Sequence, residues 1–146
     1  MNGFWGNFKS TLDTKGRINF PARFRKNLTE ADEDTLIIIR GSEKYLAVYP
    51  LTAWRQFVDK LKAKIGNDRQ FGIVSRRLMF GSSEQSVDKQ GRLNLTAGLI
   101  EYAQLDGEVA IVGVENKIEV WDASKYREYV EATETDFLKI AHELDI

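Results

Sequence analysis

The sequence contains no cysteine, only two prolines and a single histidine, His142. Without thiols there is no disulfide framework, no thiolate metal centre and no cysteine nucleophile. His142 lies in an acidic C-terminal stretch and reads as an exposed helix residue. No nucleophile elbow, phosphate-cradling glycine loop or zinc-ligand spacing accompanies it. An enzyme is therefore disfavoured, and no motif asks for a cofactor or metal. Unbroken apolar runs are short, Leu36 to Ile39 among them, and Met1-Asn2-Gly3-Phe4-Trp5 has neither a basic region nor a sustained apolar stretch. Neither a membrane partner nor secretion is indicated, so a cytoplasmic protein is expected. Excess charge is scarce too: the net value is −1. That near-neutrality conceals an asymmetry, because residues 1–78 hold 15 Lys+Arg against 8 Asp+Glu and residues 79–146 hold 6 against 14. For attraction to a polyanion, the distribution matters more than the sum.

What is present in strength is a repeat. Leu12-Asp13-Thr14-Lys15-Gly16-Arg17-Ile18-Asn19-Phe20 returns 75 positions later as Val87-Asp88-Lys89-Gln90-Gly91-Arg92-Leu93-Asn94-Leu95. At that offset Gly6/Gly81, Asp13/Asp88, Gly16/Gly91, Arg17/Arg92, Asn19/Asn94 and Ala22/Ala97 are identical. Self-similarity of this kind marks a duplicated structural unit. Further on, Trp54/Tyr126 and Phe57/Tyr129 keep an offset of 72, so the duplication covers a whole module with a three-residue deletion in copy two.

Strands are expected near Phe8 to Leu12, Arg17 to Phe20, Thr35 to Arg40 and Tyr45 to Tyr49, with counterparts at Gln85 to Val87, Arg92 to Leu95, Glu108 to Val112 and Lys117 to Trp121. A short helical piece follows Pro21, and Thr96 to Ile100 reads as its less well-formed counterpart. Leu51, Trp54, Phe57, Leu61 and Ile65 recur at helical spacing behind Pro50, and a second helix starts behind Asp122 as N-cap, with a break before Phe137. Trp54 and Tyr126 are candidates for subunit contacts, with packing inside their own subunit the favoured role. Between the modules, 67–78 predicts a helix with Phe71, Val74 and Leu78 inward and Arg69, Arg76 and Arg77 outward. The expected division is residues 5–54 for module one, 55–79 for a helical connection, 80–124 for module two and 125–146 for an acidic helical region.

In Asp13-Thr14-Lys15-Gly16-Arg17, Gly16 suits a positive φ and Asp13 can accept hydrogen bonds from the amides that follow it. Asp88 and Gly91 repeat these turn-shaping roles. Lys15 and Arg17, and likewise Lys89 and Arg92, are then left at or beside the tip of a rigid loop, where an arginine fork can meet a phosphate or a guanine edge. Arg23 and Arg25 on the following helical piece are secondary candidates. A structural turn retained through duplication accounts for the same pattern equally well.

The chain resembles the MraZ family, whose members carry two SpoVT/AbrB-like modules, each with an Asp-x-x-x-Arg motif. The resemblance rests on Gly6, Leu12-Asp13-x-Lys15-Gly16-Arg17, Pro21-Ala22-x-Phe24-Arg25, Tyr49-Pro50, Phe80, Asp88-x-x-Gly91-Arg92, Val112-Gly113 and Ile118-Glu119-Val120-Trp121. It implies an α+β, mainly β fold: a pseudo-twofold, swapped-hairpin, double-psi-type β-barrel with flanking helices. It further implies a nucleoid-associated regulator of transcription that binds double-stranded DNA at tandem short repeats in the promoter of its own division and cell-wall gene cluster, as a ring-shaped homo-oligomer. Copy two departs from copy one, with Thr96 for the proline, Gly98 and Ile100 where Arg23 and Arg25 stand, and Gln90 aligned to Lys15. Copy one is accordingly expected to attract DNA more strongly, so that Arg17→Ala weakens binding more than Arg92→Ala. The competing expectation is a protein-binding or assembly module whose loops are structural and whose self-association is independent of DNA.

Overall fold

The computed structural model describes residues 3–146. Module one contributes β1 (Phe4–Thr11), β2 (Arg17–Asn19), α1 (Ala22–Lys26), a short 3-10 turn at Glu30–Asp32, β3 (Leu36–Arg40), β4 (Leu46–Pro50) and α2 (Leu51–Ile65). After the connecting α3 (Asp68–Met79), module two repeats the order with β5 (Ser83–Gln85), β6 (Arg92–Asn94), α4 (Ala97–Ala103), β7 (Glu108–Glu115), β8 (Lys117–Asp122) and α5 (Ala123–Ala132). A last helix, α6 (Glu134–Leu144), follows Thr133.

The modules interlock. A six-stranded antiparallel sheet runs β1-β7-β8-β4-β3-β5, and a two-stranded sheet pairs β2 with β6. Exchanging each strand with its repeat (β1 with β5, β2 with β6, β3 with β7, β4 with β8) reverses the first order onto itself and leaves the second unchanged. A pseudo-twofold axis therefore passes between β4 and β8 and between β2 and β6. The first strand of each module pairs with the hairpin of the other, β1 on β7 and β5 on β3. Neither half can bury its core alone.

Period-two burial on these strands sets the layers. One face of the large sheet supplies Leu36, Ile38, Leu46, Val48, Val109, Ile111, Ile118 and Val120 to a core completed by Ile18 and Leu93 of the small sheet and by Phe24 and Leu99 of α1 and α4. Phe24 is fully buried and meets the edges of Phe4, Phe8 and Phe20 at centroid distances of 5.8, 5.1 and 6.1 Å. The opposite face is covered by the two equivalent helices. On it, Trp54 and Phe57 of α2 pack on Tyr49, while Tyr126 and Tyr129 of α5 pack on Trp121, with centroids 5.0 to 5.5 Å apart. Trp54 and Tyr126 thus pack within the chain.

Several boundaries differ from expectation. β1 begins at Phe4 because Gly6 and Asn7, poor strand formers, are held opposite Gly113 and Val112. β5 lies at Ser83–Gln85, two residues earlier than expected, where β3 dictates the pairing. α4 is longer than α1, seven residues against five, since the Thr96 side chain accepts from the Leu99 amide and caps it. Asp122 caps α5 through the Lys125 amide, and α2 spans the residues its spacing predicts.

Candidate nucleic-acid interface

Each repeated segment folds as the same turn. Asp13 Oδ1 accepts from the backbone amides of Lys15 and Arg17, both at 2.9 Å, and Oδ2 accepts from Arg17 Nε at 2.8 Å. The Asp13 amide in turn donates to the Arg17 carbonyl, and Gly16, at φ +78°, donates to the Asp13 carbonyl. In copy two Asp88 Oδ1 accepts from Gln90 and Arg92 at 2.9 Å, Oδ2 accepts from Arg92 Nε at 3.2 Å, and Gly91 stands at φ +81°. The Arg17 amide, the Arg17 side chain, the Lys15 amide and the guanidinium charge together hold Asp13 below the usual 3.8 against a partial desolvation, and Arg92 and Gln90 do the same for Asp88. Both carboxylates stay ionised and serve as acceptors, which suits them poorly to proton donation.

Both arginines then leave the turn at the first residue of a strand. Arg17 opens β2 and Arg92 opens β6, while Lys15 and Lys89 remain exposed within the turns. The β2–β6 register places Arg17 opposite Asn94, Ile18 opposite Leu93 and Asn19 opposite Arg92. Ile18 and Leu93 are buried, so alternation sends Arg17, Asn19, Arg92 and Asn94 to the outer face together. Arg17 and Arg92 are diagonal neighbours across the ribbon, with Cα atoms about 7–8 Å apart. Their side chains are only 24% and 28% exposed, because each lies along its own carboxylate through Nε. The sequence alone marked Asn19 and Asn94 as repeated, yet only the register shows that they share this face with the arginines.

The secondary candidates separate. The Arg25 guanidinium lies over Gly91, where an added Cβ would sit 3.2 Å from it, so its charge reaches the second turn and not the first. Its counterpart Ile100 covers Gly16 in the same way. Arg23 is exposed on α1, two residues back and therefore on a different side of the helix. The charge excess expected at copy one is thus redistributed across the twofold axis. One asymmetry persists: Gln90 accepts from Arg92 Nη2 at 2.9 Å, whereas Lys15 stands at the corresponding place beside Arg17.

No helix among the described residues is long and apolar enough to cross a membrane, and no cluster of His, Asp and Glu among them is arranged to hold a metal. Two interlocked modules in one chain, each closed on an Asp-x-x-x-Arg turn, define a single-chain protein of the AbrB-like fold class. The chain belongs to the MraZ family: that family, described as antitoxin-like, matches residues 4–71 and again 78–145. Over 141 residues the chain is 36% identical to the transcriptional regulator MraZ of Natranaerobius thermophilus, covering 97% of this chain and 96% of that protein. The family is one of transcriptional regulators and is not an enzyme class.

Proposed function

We propose that this chain is a sequence-specific transcriptional regulator, acting as a repressor, that reads duplex DNA with the β2–β6 ribbon and its two turns. The observation that carries the reading is the register that brings Arg17 and Arg92 to one outward face, each braced by its own aspartate. A two-stranded β-ribbon fits the major groove, and a braced arginine is suited to a guanine edge or a phosphate. Lys15, Lys89 and Arg25 flank the ribbon as phosphate contacts. Each neutralised phosphate adds roughly 0.9 to the log-log salt slope, so one chain with so few cations binds weakly. Repetition around a ring-shaped homo-oligomer makes later contacts intramolecular, and short direct repeats are the matching target. The promoter of the chain's own division and cell-wall gene cluster is the proposed site, with nucleoid association following from the DNA contact.

The test is fluorescence anisotropy on the DNA upstream of the chain's own gene and on scrambled DNA across a salt series. Tight, salt-sensitive, sequence-dependent binding is expected, lost in the Arg17→Ala/Arg92→Ala double variant with folding intact. Of the single variants, Arg17→Ala weakens binding more, because Arg92 already commits one terminal nitrogen to Gln90. Full binding by the double variant would show that the two turns are structural and do not read DNA, and no preference for native DNA would turn the reading to the assembly module.

A further inference from the structure

We infer that Asn19 and Asn94 are specificity-determining residues that read adenine edges in the major groove, each working beside the arginine of the other module. The inference rests on the proposed DNA-reading function and assigns it a ligand chemistry. Asn94 stands directly opposite Arg17 and Asn19 directly opposite Arg92, so the outward face of the ribbon consists of two Arg–Asn pairs related by the pseudo-twofold axis. Directly opposed side chains have Cβ atoms about 4.5–5.5 Å apart, close enough for one pair to address neighbouring bases.

Both asparagines are exposed, and among the described residues neither side-chain amide takes part in a hydrogen bond. Their backbones are nonetheless fixed. The Asn19 amide donates to Ser10 Oγ at 3.0 Å, and the following residues, Phe20 and Leu95, donate their amides to the carbonyls of Gly91 and Gly16 at 2.8 Å. Two unengaged amide groups are therefore held on a rigid support.

Asparagine is a poor choice for an exposed strand position on stability grounds, where a β-branched residue such as Thr is favoured. Its presence at both symmetric positions costs local strand preference and adds no intramolecular bond. What it supplies is a paired donor and acceptor that matches adenine N7 and N6, as the neighbouring arginine fork matches guanine O6 and N7. The face thus presents one guanine-type and one adenine-type reader per module, and the twofold axis relates the two sets.

The experiment compares wild type, Asn19→Thr, Asn94→Thr and the double Thr variant on the duplex upstream of the chain's own gene. The same duplex is also prepared with 7-deazaadenine, which lacks the N7 acceptor, in place of adenine. Thr retains the strand, and unchanged thermal unfolding confirms it. Wild type is expected to lose about five- to a hundredfold in affinity on the deaza duplex, the discrimination expected of a bidentate base contact. The double Thr variant should bind both duplexes at that weakened level with an unchanged salt slope. Wild-type indifference to deazaadenine, or a double Thr variant that keeps wild-type affinity and deaza sensitivity, overturns the inference while the arginine variants still decide the DNA-reading function. Retention of DNA binding by Arg17→Ala/Arg92→Ala overturns that broader reading instead.

Discussion

Asp13 and Asp88 place negative charge beside the groups proposed to meet a polyanion, and simple electrostatics assigns them a cost. The hydrogen bonds assign them the opposite sign, because each carboxylate fixes a turn through two amides and aims an arginine through Nε. The Asp13→Asn/Asp88→Asn variant adds positive charge while turning the acceptor that faced Nε into a donor or removing one from the amides. Its DNA affinity should fall despite the more favourable charge, because an unbraced arginine must be ordered at the moment of binding. Tighter binding in anisotropy would show that charge outweighs aim. The pH dependence follows from the direction of the shift. Both folded carboxylates titrate below the usual 3.8, so their stabilisation of the turns is fully present above that value and is lost as the pH falls through the lower folded values. Carboxyl resonances of both residues in an NMR titration should therefore stay flat from about pH 8 down to about pH 5; a midpoint above 3.8 would contradict the brace.

At the scale of elements, the two turns are alike in backbone and unlike in what covers them. Gly16 and Gly91 both occupy the left-handed region, which costs a side-chain-bearing residue about 1–2 kcal/mol. A methyl group at Gly16 would also lie 3.0 Å from the Leu95 carbonyl oxygen, part of the backbone that ties the turn to β6, whereas at Gly91 it meets only the movable end of Arg25. Gly16→Ala should consequently lower the urea midpoint more than Gly91→Ala, and the reverse order would mean that Arg25 is the more rigid neighbour. Similar contrasts decide how much of the fold was legible in sequence. α2 could be read from Leu51, Trp54, Phe57, Leu61 and Ile65 because its apolar stripe meets the sheet directly. The start of β1 and the position of β5 could not, since Gly6, Asn7 and Ser83 acquire strand geometry from partners far along the chain. The repeat disclosed Asp13, Gly16 and Arg17 and their copies. The shared outward face of Asn19 and Asn94, and the reach of Arg25 into the other module's turn, depend on how the modules interlock and leave no local sequence signal.

For the whole molecule, the remaining question is what surrounds α6. Ala141 is its only buried residue, while Phe137, Leu138, Ile140 and Leu144 are between 54% and 63% exposed. These side chains form a stripe along a helix whose sequence neighbourhood is acidic, in a molecule whose N-terminal half is basic. Large apolar side chains left in water at this density mark a contact surface, and opposite charge on two halves favours head-to-tail association of copies. Trp54 and Tyr126, the flanking-helix aromatics weighed for such contacts, are occupied within the chain, and the apolar stripe of α6 is the surface proposed for the role. Phe137→Asp with Leu138→Asp should therefore reduce the assembly seen by light scattering without unfolding the core, since neither residue belongs to it. On DNA with a single repeat the variant should bind within about twofold of the isolated wild-type subunit, while on tandem repeats it should lose on the order of a hundredfold, the gain that linked sites provide. An assembly that survives the substitutions would place the subunit contact elsewhere. Dissociation without loss on tandem repeats would show that successive sites are bound independently, and that the proposed ring contributes nothing to affinity.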